Sequence, residues 1–212
     1  MRLEIVEAGL LEYGEALALQ KDMQAKRIAA EIPDTLILLE HPPVITLGRR
    51  AENADVLISP ALASRLGISI IRTERGGEVT YHGPGQLVGY PICDIGITRG
   101  SIKGFVHLVE EALILTLEKE WGLRAGRRKE YIGVWVGEEK IAAIGFSVSR
   151  RVTMHGFALN VNTNLDHFKW IVPCGMRTGA VTSLQTILGR EIPMEDVKTR
   201  VARGIKEVFG YE

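Results

Sequence analysis

Cys174 is the residue whose setting best suits covalent chemistry. It follows Pro173 and precedes Gly175 within Asn162 to Gly179, a stretch with no clear periodicity of its own. Long irregular loops inside a compact domain tend to carry function. A thiol becomes a useful nucleophile when a neighbouring cation or base stabilises its thiolate; a buried structural thiol is the competing reading. Lys140, His82 and His155 are the candidate partners. Lys140 follows a turn of two glutamates, so a solvated lysine paired with Glu138 or Glu139 is the plain alternative. Yet the residues after it, Ile141-Ala142-Ala143-Ile144-Gly145, are small for a strand and would leave a groove for an apolar ligand or another backbone. His155-Gly156-Phe157-Ala158-Leu159-Asn160 repeats the theme and ends on an amide with free hydrogen-bonding capacity; a β-bulge at Gly156 would also explain it.

The second chemical feature is Arg75-Gly-Gly-Glu-Val-Thr-Tyr-His-Gly-Pro-Gly-Gln86, with four glycines, one proline, an arginine and a histidine in twelve residues. Gly76 and Gly77 allow positive φ and close approach of a ligand to the main chain. Gly83-Pro84-Gly85 forces a tight reversal after His82. A hairpin connection is the bland account. The stretch lacks the third glycine of a dinucleotide fingerprint, and no phosphate-loop motif occurs. The five histidines show no metal-ligand spacing, so neither metal nor cofactor is expected. Cys93 ends an apolar run and reads as a small buried hydrophobe.

Acidic and basic residues balance at 26 each over 212 residues. No global field therefore points to nucleic acid or a membrane surface. No apolar run is long enough to span a bilayer, and the start of the chain does not resemble a signal peptide. Two cysteines cannot form a disulfide framework, and a reducing, cytoplasmic home is the economical inference. Arg49, Arg50, Arg127, Arg128 and Lys129 would suit an acidic partner or simply a solvated face.

Strands are expected over 3–6, 35–40, 44–47, 68–72, 79–81, 87–92, 133–136, 140–148 and 153–161 from apolar runs and alternation. Helices are expected over 13–30, 60–66, 101–121 and 193–209, with a shorter helical piece at 182–188. Ser59 and Ser101 are N-cap candidates, and Phe105, Val109, Ala112, Leu113 and Leu117 form one apolar stripe. The expected class is α/β, of the α+β type, with a mixed sheet, helices flanking it on one side, and a single domain over 1–212.

Arg75 to Gln86, Lys140 to Gly145, His155 to Asn160 and Pro173-Cys174-Gly175 together resemble the signatures of the octanoyltransferases of lipoate biosynthesis. Their order and the separation of lysine from cysteine agree, and the likeness covers nearly the whole chain. The resemblance implies a catalytic domain like that of the biotin and lipoate protein ligases. It also implies movement of an octanoyl (or lipoyl) group from the thioester of octanoyl-acyl carrier protein to a lysine of a lipoyl domain. The acceptors would be the lipoyl domains of the 2-oxoacid dehydrogenase complexes and the glycine cleavage H protein. Cys174 would then hold the acyl thioester, and Lys140 would lower its pKa and shuttle protons. Arg75, Gly76, Gly77, Glu78, Val79, Thr80, Tyr81 and His82, with Ala143, Ile144, Gly145, Gly156, Phe157 and Ala158, would line the acyl pocket. His155 and Asn160 would support it. Ala143 stands where relatives often carry serine. Backbone amides near Gly76 and Gly77 or around Cys174, or a ring nitrogen of His82, are the expected oxyanion donors. Transfer between lipoyl domains, ATP-dependent ligation of free acid, and a non-catalytic acyl-binding module are the competing readings.

Overall fold

Leu36 to Leu39 have no solvent exposure, which requires a strand covered on both faces. The architecture is built outward from it. The structure is a computed structural model that describes residues 2–172 and 181–212. In chain order the elements begin with β1 (Leu3–Leu10), α1 (Tyr13–Ile28), β2 (Asp34–Glu40), β3 (Val44–Leu47), α2 (Pro60–Arg65), β4 (Ser69–Arg72), β5 (Val79–His82) and β6 (Gln86–Ile92). They continue with α3 (Ile102–Trp121), β7 (Ala125–Gly126), β8 (Val134–Val136), β9 (Glu139–Ser149), β10 (Val152–Asn160), α4 (Leu184–Leu188) and α5 (Met194–Phe209).

The strands form a seven-stranded sheet, in the order β1-β2-β6-β10-β9-β8-β7, and a three-stranded sheet, β4-β3-β5. Both are mixed: β1 runs parallel to β2 and β4 to β3, and the other pairs are antiparallel. The α/β class with a mixed sheet is as expected, but the helices lie on both faces. Phe105, Val109 and Leu113 of α3 and Val197, Val201 and Ile205 of α5 pack with Leu36, Leu38, Leu87 and Leu159 on one face. Ala16, Leu17 and Met23 of α1 pack with Ile37, Leu39, Val88, Tyr90 and Ala158 on the other. Side chains alternate across a strand, so the unbroken run Leu36 to Leu39 feeds both cores. That run is the sequence sign of a two-sided sheet.

Local signals set most of the ends. The Ser101 hydroxyl accepts from Gly104 N at 3.0 Å at the start of α3, and Gly122 ends it in the left-handed region at φ 66°. Ser59 caps α2 with Pro60 next to it. Within the stretch that shows no periodicity, Leu165–Trp170 forms a 3₁₀ segment capped by Asn164. Two-residue β7, too short to carry a pattern, was not expected.

Candidate active site

The glycine-rich loop before β5 roofs a cleft over the α1 side of the large sheet. The roof is clamped from both sides. Gly48 N donates to Glu78 O at 2.8 Å, Arg49 N to Arg75 O at 3.0 Å and Arg50 N to Gly77 O at 3.1 Å. On the other edge Gly76 N donates to Phe146 O of β9 at 2.9 Å. The chains approach so closely that a Cβ on Gly48 would sit 2.5 Å from Gly77 O, and one on Gly145 would sit 2.7 Å from Gly76 O. Gly77 itself is at φ 88°, a region costly for a residue with a side chain. The Arg75 guanidinium is buried, with Nε and Nη2 donating to Thr46 Oγ1 at 3.2 and 2.9 Å and Nη2 to Thr46 O at 2.7 Å. This cation braces the roof against β3.

The floor is a row of small residues. Ala158 of β10 lies opposite Val88 of β6 and Ala143 of β9, and Gly156 lies opposite Gly145. The sheet is therefore depressed beneath the roof, and its upper surface there is methyl groups and backbone. Lining the cleft are Arg75 to Thr80 with His82, Ala143 to Gly145, and His155 to Ala158, drawn from the glycine loop and strand β5 and from the β9–β10 hairpin. Tyr81 is the exception among the expected lining residues. Alternation along β5 turns its ring away, against Phe168 and His167, with its hydroxyl 2.6 Å from His167 Nδ1.

A buried polar cluster closes one side. His41 Nδ1 donates to Leu11 O at 2.7 Å, so its Nε2 accepts from the Tyr90 hydroxyl at 2.8 Å. Tyr13 donates to Thr73 Oγ1 at 3.2 Å, and His155 Nε2 is 3.5 Å from the same hydroxyl. His155 has φ 62°, and its backbone N–H donates to Gln20 Oε1 at 2.8 Å. Burial lowers the pKa of His41 to about 4. Burial and the Arg75 charge lower His155 to about 4 as well. Burial, with the nearby His41 ring and the Arg75 charge, holds His82 well below the usual imidazole value. All three rings are neutral at neutral pH, hydrogen-bonding groups rather than cations.

Lys140 is 6% exposed and lines the cleft, not the solvated turn. Its Nζ lies 4.9 Å from the centroid of Trp135. The stem packs against Gly133, where a Cβ would be 3.3 Å from Lys140 Cε. Glu138 of the preceding turn bonds Arg128 at 2.6 Å. Val181, also a lining residue, forms a parallel bridge with Lys140, and Thr182 N donates to Lys140 O at 3.0 Å. Cys174 lies outside the described residues. Cys93 is buried, and burial pushes its thiol up, as suits a packing residue.

Of the expected oxyanion donors, Gly76 N is already bonded to Phe146 O. Of the expected basic patch, Arg127 is held by Glu110 and Glu111. Sequence reasoning did not find Tyr13, Val88, Tyr90, Ile132, Phe168 and Val181 in the lining. Among these only Val88 and Tyr90 carried a signal, as alternate positions of a strand entering from the glycine loop. Among the described residues no group of three metal-ligating side chains is placed to hold an ion, and no helix is long and apolar enough to cross a membrane.

The geometry is a roofed apolar slot with a buried lysine at its wall, and similarity to known proteins gives the family. Residues 12–206 match the lipoyl protein ligase A/B catalytic domain, and the chain belongs to that family as an acyltransferase. An octanoyltransferase of Caldicellulosiruptor saccharolyticus is 50% identical over 211 residues, covering 99% of this chain and 90% of that protein. One of Alkaliphilus metalliredigens is 49% identical over 212 residues, covering 100% and 97%. The fold is shared with a bipartite lipoate protein ligase from Thermoplasma acidophilum at TM-score 0.72 and 18% identity, covering 100% of this chain and 85% of that one.

Proposed function

We propose that the chain transfers an octanoyl group from the thioester of acyl carrier protein to a lysine of lipoyl domains, in two displacements at Cys174. The whole of 1–212 acts as one catalytic unit. The acceptors are the lipoyl domains of 2-oxoacid dehydrogenase complexes and the glycine cleavage H protein, and the reaction takes place in the cytoplasm. The observation that carries this reading is at the cleft wall. Buried Lys140 is bridged to Val181, seven residues after Cys174 in the chain, beside a slot of alkyl and backbone surface.

In the first step the Cys174 thiolate attacks the thioester carbonyl and expels the carrier thiol, which takes the proton of the Lys140 ammonium, so the acyl group stays activated on sulfur and Lys140 is left neutral. In the second the neutral amine of the acceptor lysine attacks that thioester. The new C–N bond forms, the C–S bond breaks, and the amine proton passes to neutral Lys140 or the leaving sulfur. Each methylene seated in the slot contributes about 0.8 kcal/mol of burial, which favours a medium-length chain. The roof Arg75 to His82 and the floor at Ala143 to Gly145 and Gly156 to Ala158 hold the chain, with His155 and Asn160 in support. Tyr81 instead supports the roof from behind.

Incubation with octanoyl-acyl carrier protein should leave one octanoyl adduct, which peptide mapping places on Cys174. Lys140→Ala should slow that acylation and raise the thiol pKa read from iodoacetamide alkylation against pH. An ATP requirement with free octanoate, surviving Cys174→Ala, would establish a ligase instead. An octanoylated lipoyl domain outperforming the carrier protein as donor would establish an amidotransferase. Donor binding without any adduct would leave only an acyl-binding module.

A further inference from the structure

A row of buried amides behind the cleft wall can be followed donor by donor. The Thr182 backbone carbonyl can only accept. The Asn160 atom 3.0 Å from it is therefore Nδ2, and Asn160 Oδ1 faces Gln86. Gln86 Nε2 donates to that oxygen at 2.9 Å and to Tyr81 O at 3.2 Å. Both partners are acceptors, so the orientation of the Gln86 amide is fixed as well. Its Oε1 is left for His82 Nδ1 at 2.8 Å, and an amide oxygen requires the proton to be on that nitrogen. The His82 Nε2 of a neutral ring then carries a lone pair. It faces the Thr46 hydroxyl at 3.5 Å, the group that accepts from Arg75.

We propose that Gln86 and Asn160 are positioning residues for acyl transfer: they fix His82 with its proton on Nδ1 and tie the cleft wall to the Val181–Thr182 segment beside Lys140. This inference rests on the acyl-transfer reading above. It removes His82 from the oxyanion donors, because its one ring N–H is committed to Gln86. It also gives the row a direction: His82, Gln86 and Asn160 each donate to the next group on the way to the Thr182 carbonyl, and Gln86 Nε2 is shared with Tyr81 O. Replacing either amide by a carboxylate of the same shape removes its donor: Gln86→Glu sets an oxygen against Asn160 Oδ1 and Tyr81 O, Asn160→Asp sets one against Thr182 O, and flipping the neighbouring amide leaves an acceptor–acceptor clash in each case. Such a clash between buried groups has no water to relieve it.

Two measurements test the proposal. Nitrogen-15 spectra of histidine-labelled wild-type protein, with the residue 82 ring assigned by its loss in His82→Gln, should show protonated Nδ1 and bare Nε2 at neutral pH. Gln86→Glu and Asn160→Asp should each lower kcat for octanoyl transfer at least about 10-fold while KM for the donor stays within about 2-fold. Circular dichroism melting checks that they fold, and should both variants fail to fold the wild-type ring spectrum decides. A proton on His82 Nε2, or wild-type kcat in both folded variants, would overturn the proposal. Absence of octanoyl transfer by the wild type would overturn the functional reading alone, because the ring spectrum does not depend on activity.

Discussion

The two faces of the seven-stranded sheet are built from the same strands, yet they differ in kind. On the α3 and α5 face, Phe105 meets Phe146 and Phe209 edge to face at 5.3 Å, and Leu36, Leu87 and Leu159 fill the space between. Gly204 of α5 is bare because a Cβ there would overlap the Thr116 hydroxyl of α3, so the α5 backbone lies directly against that side chain. On the opposite face, one residue along from such fillers, the same strands present Ala143, Gly145, Gly156 and Ala158. There the space is left open and polar groups are buried around it. The α1 face carries a core of its own around Ile37, Leu39 and Tyr90, but beneath the glycine loop it stays shallow.

If that division holds, damage to the two faces should read out differently, most sharply for Phe105→Ala. Truncating a fully buried aromatic ring typically costs about 3–5 kcal/mol. Urea unfolding should show that loss, while KM for the acyl donor measured well below the melting transition stays within about 2-fold. A large KM effect with little loss of stability would mean the faces are not separate.

Acid should act through the other face. His41 and His155 have pKa values near 4 in the folded protein and near 6.5 when unfolded. Between these values the unfolded chain binds protons that the native protein does not, so stability falls as pH drops from about 6.5 to about 4. The expected loss is on the order of 3 kcal/mol for each ring. His41→Asn should flatten part of the curve in denaturant titrations at stepped pH. An identical curve would show that the ring is not neutralised by its burial.

Most of the fold was legible because its signals are local. The Ser101 and Ser59 caps, the apolar run of β2 and the α3 stripe each state their own structure. The face on which α1 would lie was not legible, since α1 mixes polar and apolar residues and its choice of side depends on Val88, Tyr90 and Ala158 being free to receive it. The site was readable where glycines and alanines stand in strands that ought to carry bulk. It was unreadable where a residue acts by tertiary position: Gln86 closes the glycine motif, but nothing in the sequence shows that its amide meets Asn160. Tyr81 shows the limit of a contiguous motif, since its ring packs against His167 and Phe168 while its neighbours Thr80 and His82 line the cleft.

Ala158→Val probes the shallow face at smaller cost. The added methyls enter the open slot rather than a packed core, so stability should change by less than about 1 kcal/mol. Room for one or two methylenes disappears, and at about 0.8 kcal/mol each the kcat/KM for octanoyl donor should fall by about 10-fold, with hexanoyl donor reduced less than about 2-fold. Equal loss for both chain lengths would place Ala158 outside the acyl path.

The smallest effect tests where the site ends and the surface begins. Glu138 pairs with Arg128 at 2.6 Å, but its side chain is 92% exposed, so solvent screens the pair. Glu138→Gln should shift the melting temperature by less than about 2 °C. The interest lies one contact further in, because Arg128 rests on Trp135 at 4.5 Å and Lys140 Nζ rests on the same ring at 4.9 Å. If the ring merely walls the cleft, the variant should leave the pH profile of acyl transfer unchanged. A displaced profile with an unchanged melting temperature would show that Arg128 and Lys140 are coupled across the indole, and the boundary of the site would then include the exposed turn.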